Sequence, residues 1–275
     1  MFTALADIAL GAVVGGPTAA HAWLAVSSGC LYSAGMALND VCDVDQDARE
    51  RPFRPLPSGA ISMPAARQLV VVLFAAGLGA AACTGFRAGI TAAILALLIM
   101  LYDGWLKRTR VGPVGMGGCR FVNVLLGLTP ASLSVVPVEL QLHLAGVVGV
   151  YAAAITWFAR TEAIGGRRGE LRAAAGLGLF SLVAALPAAL HREPGSASPL
   201  FPYLLAALIC VVGSPAVAAI RRPEPPRIQR AVKTAVLAII ALDAVLATAI
   251  SGNIGLLIFL LLPPAIVLGR RIYST

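Results

Sequence analysis

Apolar residues in this chain neither alternate nor return on a single helical face. They fill runs near 2–16, 20–42, 65–84, 87–105, 114–134, 141–160, 171–191, 199–219, 230–250 and 254–270, each bounded by charge, Pro or Gly. Most of these runs approach the ~20 residues that a helix needs to cross a bilayer. Apolarity on every face is the mark of helices buried in lipid, and transmembrane β-strands would instead alternate over ~10 residues. The pattern predicts an all-α polytopic membrane protein of nine to ten spans, the first of them short. Connections are too short to hold a second domain, so residues 1–275 are read as one unit. Met1 to Gly16 has no positive leading region and reads as a span, not a cleaved signal.

Composition sharpens this picture. Of 275 residues, 59% are hydrophobic and 12% charged, with a mean hydropathy of +0.86, whereas soluble domains average roughly 45–50% apolar and ~25% charged. A soluble globular protein is excluded. The net charge of +8 would suit a nucleic-acid binder, but its distribution assigns it elsewhere. With the N-terminus on the cytoplasmic side, all basic residues except Arg87, Arg192 and the intramembrane Arg120 fall in cytoplasmic connections or at the C-terminal end. That asymmetry follows the positive-inside rule and leaves no call for nucleic acid. The five cysteines are scattered without a CxxC pair, and the three histidines lie at outer ends of spans, where interfacial polarity accounts for them.

The longest polar stretch, Asn39 to Arg67, leaves the second run. At about 100° per residue, Asp43 and Asp47 fall about 60° and 20° from Asp40, so the three carboxylates share one helical face. Asn39 adjoins that face and Asp45 points away from it. Stacked carboxylates at the end of a span repel one another unless a cation lies among them. Magnesium binds through one or two carboxylates together with waters and substrate phosphates, so the cluster implies Mg2+ and a phosphorylated substrate. In the fifth run, Arg120, Asn123 and Gly127 share a face. An arginine within a span costs ~2.5–3.5 kcal/mol and needs a partner: a diphosphate, the aspartate cluster, or Asp103 in an internal salt bridge. Asp7 and Asp243 are further intramembrane acids that would line a cavity or pair structurally.

The segment Asn39-Asp40-Val41-Cys42-Asp43-Val44-Asp45-Gln46-Asp47, followed by Arg51-Pro52-Phe53-Arg54-Pro55-Leu56-Pro57-Ser58-Gly59, reads NDxxDxxxD and then an RPxRPLxSG-like loop. This resembles the UbiA superfamily of intramembrane prenyltransferases. Tyr102-Asp103-Gly104-Trp105-Leu106-Lys107 resembles that family's Tyr-x-x-x-Lys element, with one residue more between the tyrosine and the lysine. The resemblance implies a helical bundle around a central cavity, capped on the cytoplasmic side by polar loops, in which magnesium holds a prenyl diphosphate. Asp40, Asp43 and Asp47 would carry the metal, and Asn39 would orient the diphosphate or complete a metal shell. Arg51, Lys107 and Arg108 would neutralise phosphate charge, with Arg54 as a secondary candidate; marking topology is the alternative role for these cations. Tyr102, Trp157 and Phe158 would offer π-faces to an allylic cation, and Asp103 would orient or deprotonate the acceptor.

The family's second acidic motif, DxxxD, has no counterpart here. The corresponding stretch, Thr156 to Gly166, contains only Glu162 as a carboxylate, with Arg160 nearby. Glu162 would serve as a single ligand for a second magnesium, and Arg160 would replace that cation by contacting the diphosphate itself. The implied reaction moves an isoprenoid chain from a prenyl diphosphate to an aromatic or lipid acceptor. The missing motif also motivates a non-catalytic carrier or binder of a prenylated lipid built on the same scaffold.

Overall fold

The computed structural model describes residues 1–161, 167–191 and 198–272, and among these the regular structure is helical throughout. The helices in chain order are α1 (Phe2–Gly15), α2 (Ala20–Cys42), α3 (Val44–Glu50), α4 (Met63–Ala82), α5 (Phe86–Gly104), α6 (Gly112–Leu128), α7 (Val138–Arg160), α8 (Arg168–Val183), α9 (Phe201–Arg221), α10 (Pro225–Ser251) and α11 (Leu262–Ile272). Short 3-10 segments cover Leu106–Arg108, Leu186–His191 and Gly252–Leu261. Six helical stretches are long and apolar enough to cross a membrane: α4, α5, α7, Arg168–His191, α9 and Pro225–Gly269. The protein is an integral membrane protein.

The apolar runs become helices close to the expected places. The fifth run ends early, at Leu128 rather than residue 134, where Thr129 and Pro130 break the helical path. Two helices, α2 and α6, do not meet the apolar criterion for a span. Polarity lowers the first, which carries His21, serines, Asn39 and Asp40, while α6 has only 17 residues and holds Arg120 and Asn123. The tenth run is not an ordinary span. Gly252 has φ +72° and reverses the chain after α10; Gly255 then presses against the backbone of Ala247 and Thr248, so the 3-10 segment lies along α10.

The bundle has two parts. Helices α2, α4, α5 and α6 pack around Leu24, Leu31, Leu95, Ile99 and Leu126, whereas α7 to α10 contribute most of a larger core that includes Leu144, Tyr151, Leu242 and Leu246. Helix α1 packs on α2, α6 and α10 and so joins the two. Its crossing with α6 is a backbone contact: a Cβ at Gly11 would collide with the carbonyl of Gly127, and one at Gly127 would meet Asp7 O at 2.9 Å. Only glycine allows this approach, because helices otherwise stand 8–10 Å apart. One turn before each glycine lie Asp7 and Asn123, which the crossing brings into contact.

Candidate active site

The acidic segment bends at its centre. Asp43, with φ −104° and ψ 8°, separates α2 from α3, yet its N–H donates to Asn39 O and the N–H of Asp47 donates to Asp43 O. The helical path therefore continues well enough to keep Asp40, Asp43 and Asp47 on one side. Asp47 is buried, Asp43 half-buried and Asp40 exposed, while Asp45 is exposed as expected for the opposite face.

Three basic residues neutralise this side. The loop after α3 folds through tight turns, with Arg54 N–H donating to Arg51 O and Ser58 N–H to Arg54 O, and Gly59 supplies a φ of +76° that other residues resist. Folded this way, Arg54 reaches back to Asp47 Oδ2 at 2.7 Å and Asp40 Oδ1 at 3.4 Å. From the other direction α5 ends at Gly104, and the 3-10 turn that follows delivers Lys107. Its Nζ donates to Asp43 Oδ2 at 2.7 Å and Asn39 Oδ1 at 2.8 Å and lies 4.0 Å from Asp103. Arg108 bonds Cys42 O at 2.9 Å and Asp43 Oδ1 at 3.3 Å.

Beneath this cluster is a cavity of about 400 Å³ between α1, α2, α5 and α6. Asn39, Asp40, Arg54, Tyr102 and Asp103 line one part of it; Ser28, Arg120 and Asn123 supply further polar groups in a wall otherwise made of residues such as Leu31, Met36, Leu95, Ile99 and Met116. A polar entrance above an apolar chamber suits an amphipathic molecule with an anionic head and a hydrocarbon tail.

Several expected site residues stand differently. Arg120 does not pair with Asp103: its Nη1 donates to Asp7 Oδ2 at 3.0 Å and its Nη2 to Thr3 Oγ1. Asn123 donates to the same Asp7 oxygen at 2.7 Å and to Ala4 O, and accepts from Ser28. Both residues border the cavity, but their hydrogen bonds hold α1 to α6. Arg160 donates to Thr109 O at 2.6 Å and so braces the loop that presents Lys107 and Arg108. Phe158 is buried at a separate cavity between α7, α8, α9 and α10, and Trp157 packs beside it, which leaves Tyr102 as the expected aromatic that borders the polar cavity. Arg51 is exposed and has no side-chain partner among the described residues. Glu162 lies outside the described residues. The largest contribution undervalued by sequence was Arg54. Its path from Asp47 leaves α3 and passes Pro52 and a turn, so only the folded loop reveals the bridge.

The donor set suits a hard divalent cation, since it offers carboxylate oxygens and an amide oxygen without thiol or imidazole. Among the described residues no three acidic, histidine or cysteine groups converge into a cage. A magnesium ion here would share Asp40, Asp43 and Asp47 with oxygens of a substrate.

Comparison with known proteins bears on the family and the fold. The UbiA prenyltransferase family model matches residues 1–232. Digeranylgeranylglyceryl phosphate synthase of Ignicoccus hospitalis is 36% identical over 107 residues, covering 39% of this chain and 35% of that protein. The protein of that name from Methanopyrus kandleri is 34% identical over 111 residues, covering 38% and 41%. The matched stretches thus span well under half of these relatives. In structure, a UbiA homolog from Aeropyrum pernix K1 superposes with a TM-score of 0.69 at 17% identity, over 89% of this chain and 95% of that one. A structure described for digeranylgeranylglyceryl phosphate synthase in membranes gives 0.66 at 19% identity, over 90% and 93%. With a family model covering most of its length, and a fold shared almost end to end with solved homologues, this chain belongs to the UbiA prenyltransferase family.

Proposed function

We propose that the protein transfers an isoprenoid chain from a prenyl diphosphate to a lipid-type acceptor, with magnesium held at Asp40, Asp43 and Asp47. The observation that carries this reading is the cavity: carboxylates and cations ring its polar end, and hydrocarbon side chains line the remainder. The names of the relatives above favour a lipid acceptor over an aromatic one. Positive-inside charge asymmetry supports a cytoplasmic placement of the site.

Cleavage of the C1–O bond leaves negative charge on the departing diphosphate and positive charge on the allylic carbon. Bound magnesium would supply Lewis-acid stabilisation of the leaving group. Lys107 and Arg108, which lie within reach of Asp43, and Arg54, between Asp40 and Asp47, are placed to donate charge-assisted hydrogen bonds to phosphate oxygens. Asn39 orients Lys107. Tyr102 lines the cavity wall, where its ring would meet an allylic cation, and Asp103, beside Lys107, accepts the proton of an acceptor hydroxyl. The apolar chamber keeps water from the carbocation.

The test is pyrophosphate release by purified protein with prenyl diphosphates of graded length and a panel of acceptors, with and without magnesium. Asp43→Ala should reduce turnover by about 10²–10³-fold, the loss typical when a group stabilising transition-state charge is removed. The absence of aspartate from Thr156 to Gly166 supports a second reading, a carrier of prenylated lipid. Magnesium-dependent binding without any diphosphate release would favour that carrier.

A further inference from the structure

Beside the polar cavity, and bordering it through Arg120, is a second set of charges to which the proposed transfer assigns no step. Asp7 of α1 and Asp243 of α10 are both fully buried, and their carboxyl groups lie close enough to interact directly. Arg120 of α6 pairs with Asp7 Oδ2. Asp7 Oδ1 and both oxygens of Asp243 are buried and have no donor among the described residues.

The surroundings supply few other charges. On α1, Thr3 bonds Arg120, and the amino group of Met1 stands about 9 Å along the helix from Asp7. Helix α2 brings Ser28, bonded to Asn123, and Tyr32 toward Arg120. On α6 the polar groups are Arg120 and Asn123. The charged groups that reach Asp243 are Asp7 and Arg120. The 3-10 segment Gly252–Leu261 and α9 up to Arg221 contain no ionisable side chain except Tyr203 and Cys210, while α7 contributes Tyr151, whose hydroxyl is bonded to Ala235 O.

Two ionised carboxylates facing one guanidinium would leave an uncompensated negative charge in an apolar interior, where unpaired charge is strongly disfavoured. Their mutual repulsion would add to that cost. A metal ion is poorly served, because a hard cation seeks about six oxygens and only the three unpartnered ones are available here. One proton resolves both problems. We propose that Asp7 and Asp243 bind a single proton between them: Asp243 is the neutral acid, its O–H donating to Asp7 Oδ1, and Asp7 is the carboxylate paired with Arg120. The triad is then electrically neutral, so the guanidinium that borders the cavity exposes no net charge to an isoprenoid chain. Asp243 acts as a positioning residue, fixing Asp7 and through it Arg120.

Infrared spectroscopy of the full chain in lipid nanodiscs, with aspartate carboxyls labelled with carbon-13, tests this directly. At pH 7 the wild type should show the carbonyl stretch of one neutral aspartic acid, which Asp243→Asn should remove and Asp103→Asn should leave in place. The side-chain amide introduced by Asp243→Asn can donate an N–H to Asp7 in place of the shared proton, so this variant should melt at the wild-type temperature while Asp243→Ala melts lower. Absence of the neutral-acid band from wild type at pH 7, or its persistence in folded Asp243→Asn, would overturn the proposal. A marked rise in melting temperature for Asp243→Asn would do the same, since it would reveal a charge relieved.

Discussion

The two halves of the bundle each enclose a cavity, and the two differ sharply in chemistry. The one formed by α1, α2, α5 and α6 is about 400 Å³ and ends in aspartates, Arg54 and Asn39, with Lys107 behind them. The other, formed by α7 to α10, is about 270 Å³ and is lined by residues such as Ala154, Gly178, Leu182, Gly213 and Val217, with Tyr151 the main polar residue. Small residues face one another in the second and larger side chains wall the first, yet both are spaces left between packed helices and are apolar over most of their lining. Volume is therefore a by-product of the scaffold, and chemistry comes from the loops that close one end.

The sharpest way to break this contrast is to disturb the polar centre that joins the halves. Arg120→Met should leave Asp7 buried without its counter-ion, a change that typically costs about 3–5 kcal/mol, and thermal melting in detergent should show a large drop. Wild-type stability would mean that Asp7 and Asp243 are neutral without the guanidinium. A smaller effect belongs to the polar end of the first cavity. Lys107→Ala should weaken magnesium-dependent diphosphate binding roughly tenfold, the equivalent of about 1.4 kcal/mol, and titration with short and long prenyl diphosphates should show the same loss for each. A loss that grows with tail length would instead place Lys107 along the hydrocarbon. Smallest of all should be Gly213→Leu, which fills the second cavity from a position with open space around it. Turnover should remain within about twofold, because Gly213 borders a cavity that holds none of the diphosphate-binding groups and open space around it avoids the overpacking that makes substitutions costly. Strong inhibition would show that α7 to α10 receive a substrate.

How far the sequence could be read depended on the range of each interaction. Helix positions were legible because lipid requires continuous apolar runs, and the shared face of Asp40, Asp43 and Asp47 because helical periodicity is local. Lys107 was found by motif and lands on Asp43, 64 positions away. The fate of Arg120 was legible only in part. Its need for a partner follows from membrane energetics, but the choice of Asp7 over Asp103 depends on where α1 crosses α6, and that crossing rests on Gly11 and Gly127, whose role no composition or period reveals. Arg54 was hidden behind prolines that make the loop unreadable as periodic structure. Phe158 failed for a related reason: aromatic chemistry suggested the site, but the orientation of α7 turns this ring to the other cavity. The tenth run was apolar enough for a span, and the positive φ of Gly252 folded it back.

Arg54 bridges Asp40 and Asp47, while Lys107 and Arg108 share Asp43, so every one of these three carboxylates is already paired with a cation. On the function proposed above, a diphosphate would enter by exchange of partners, much as an ion enters an exchange resin whose sites are already filled. Arg54 turning toward a phosphate oxygen would free Asp40 and Asp47, Lys107 and Arg108 together would free Asp43, and each freed carboxylate would be a new oxygen donor for magnesium. Head-group recognition and metal capture are in that sense one event, and neither should be strong when the other component is withheld.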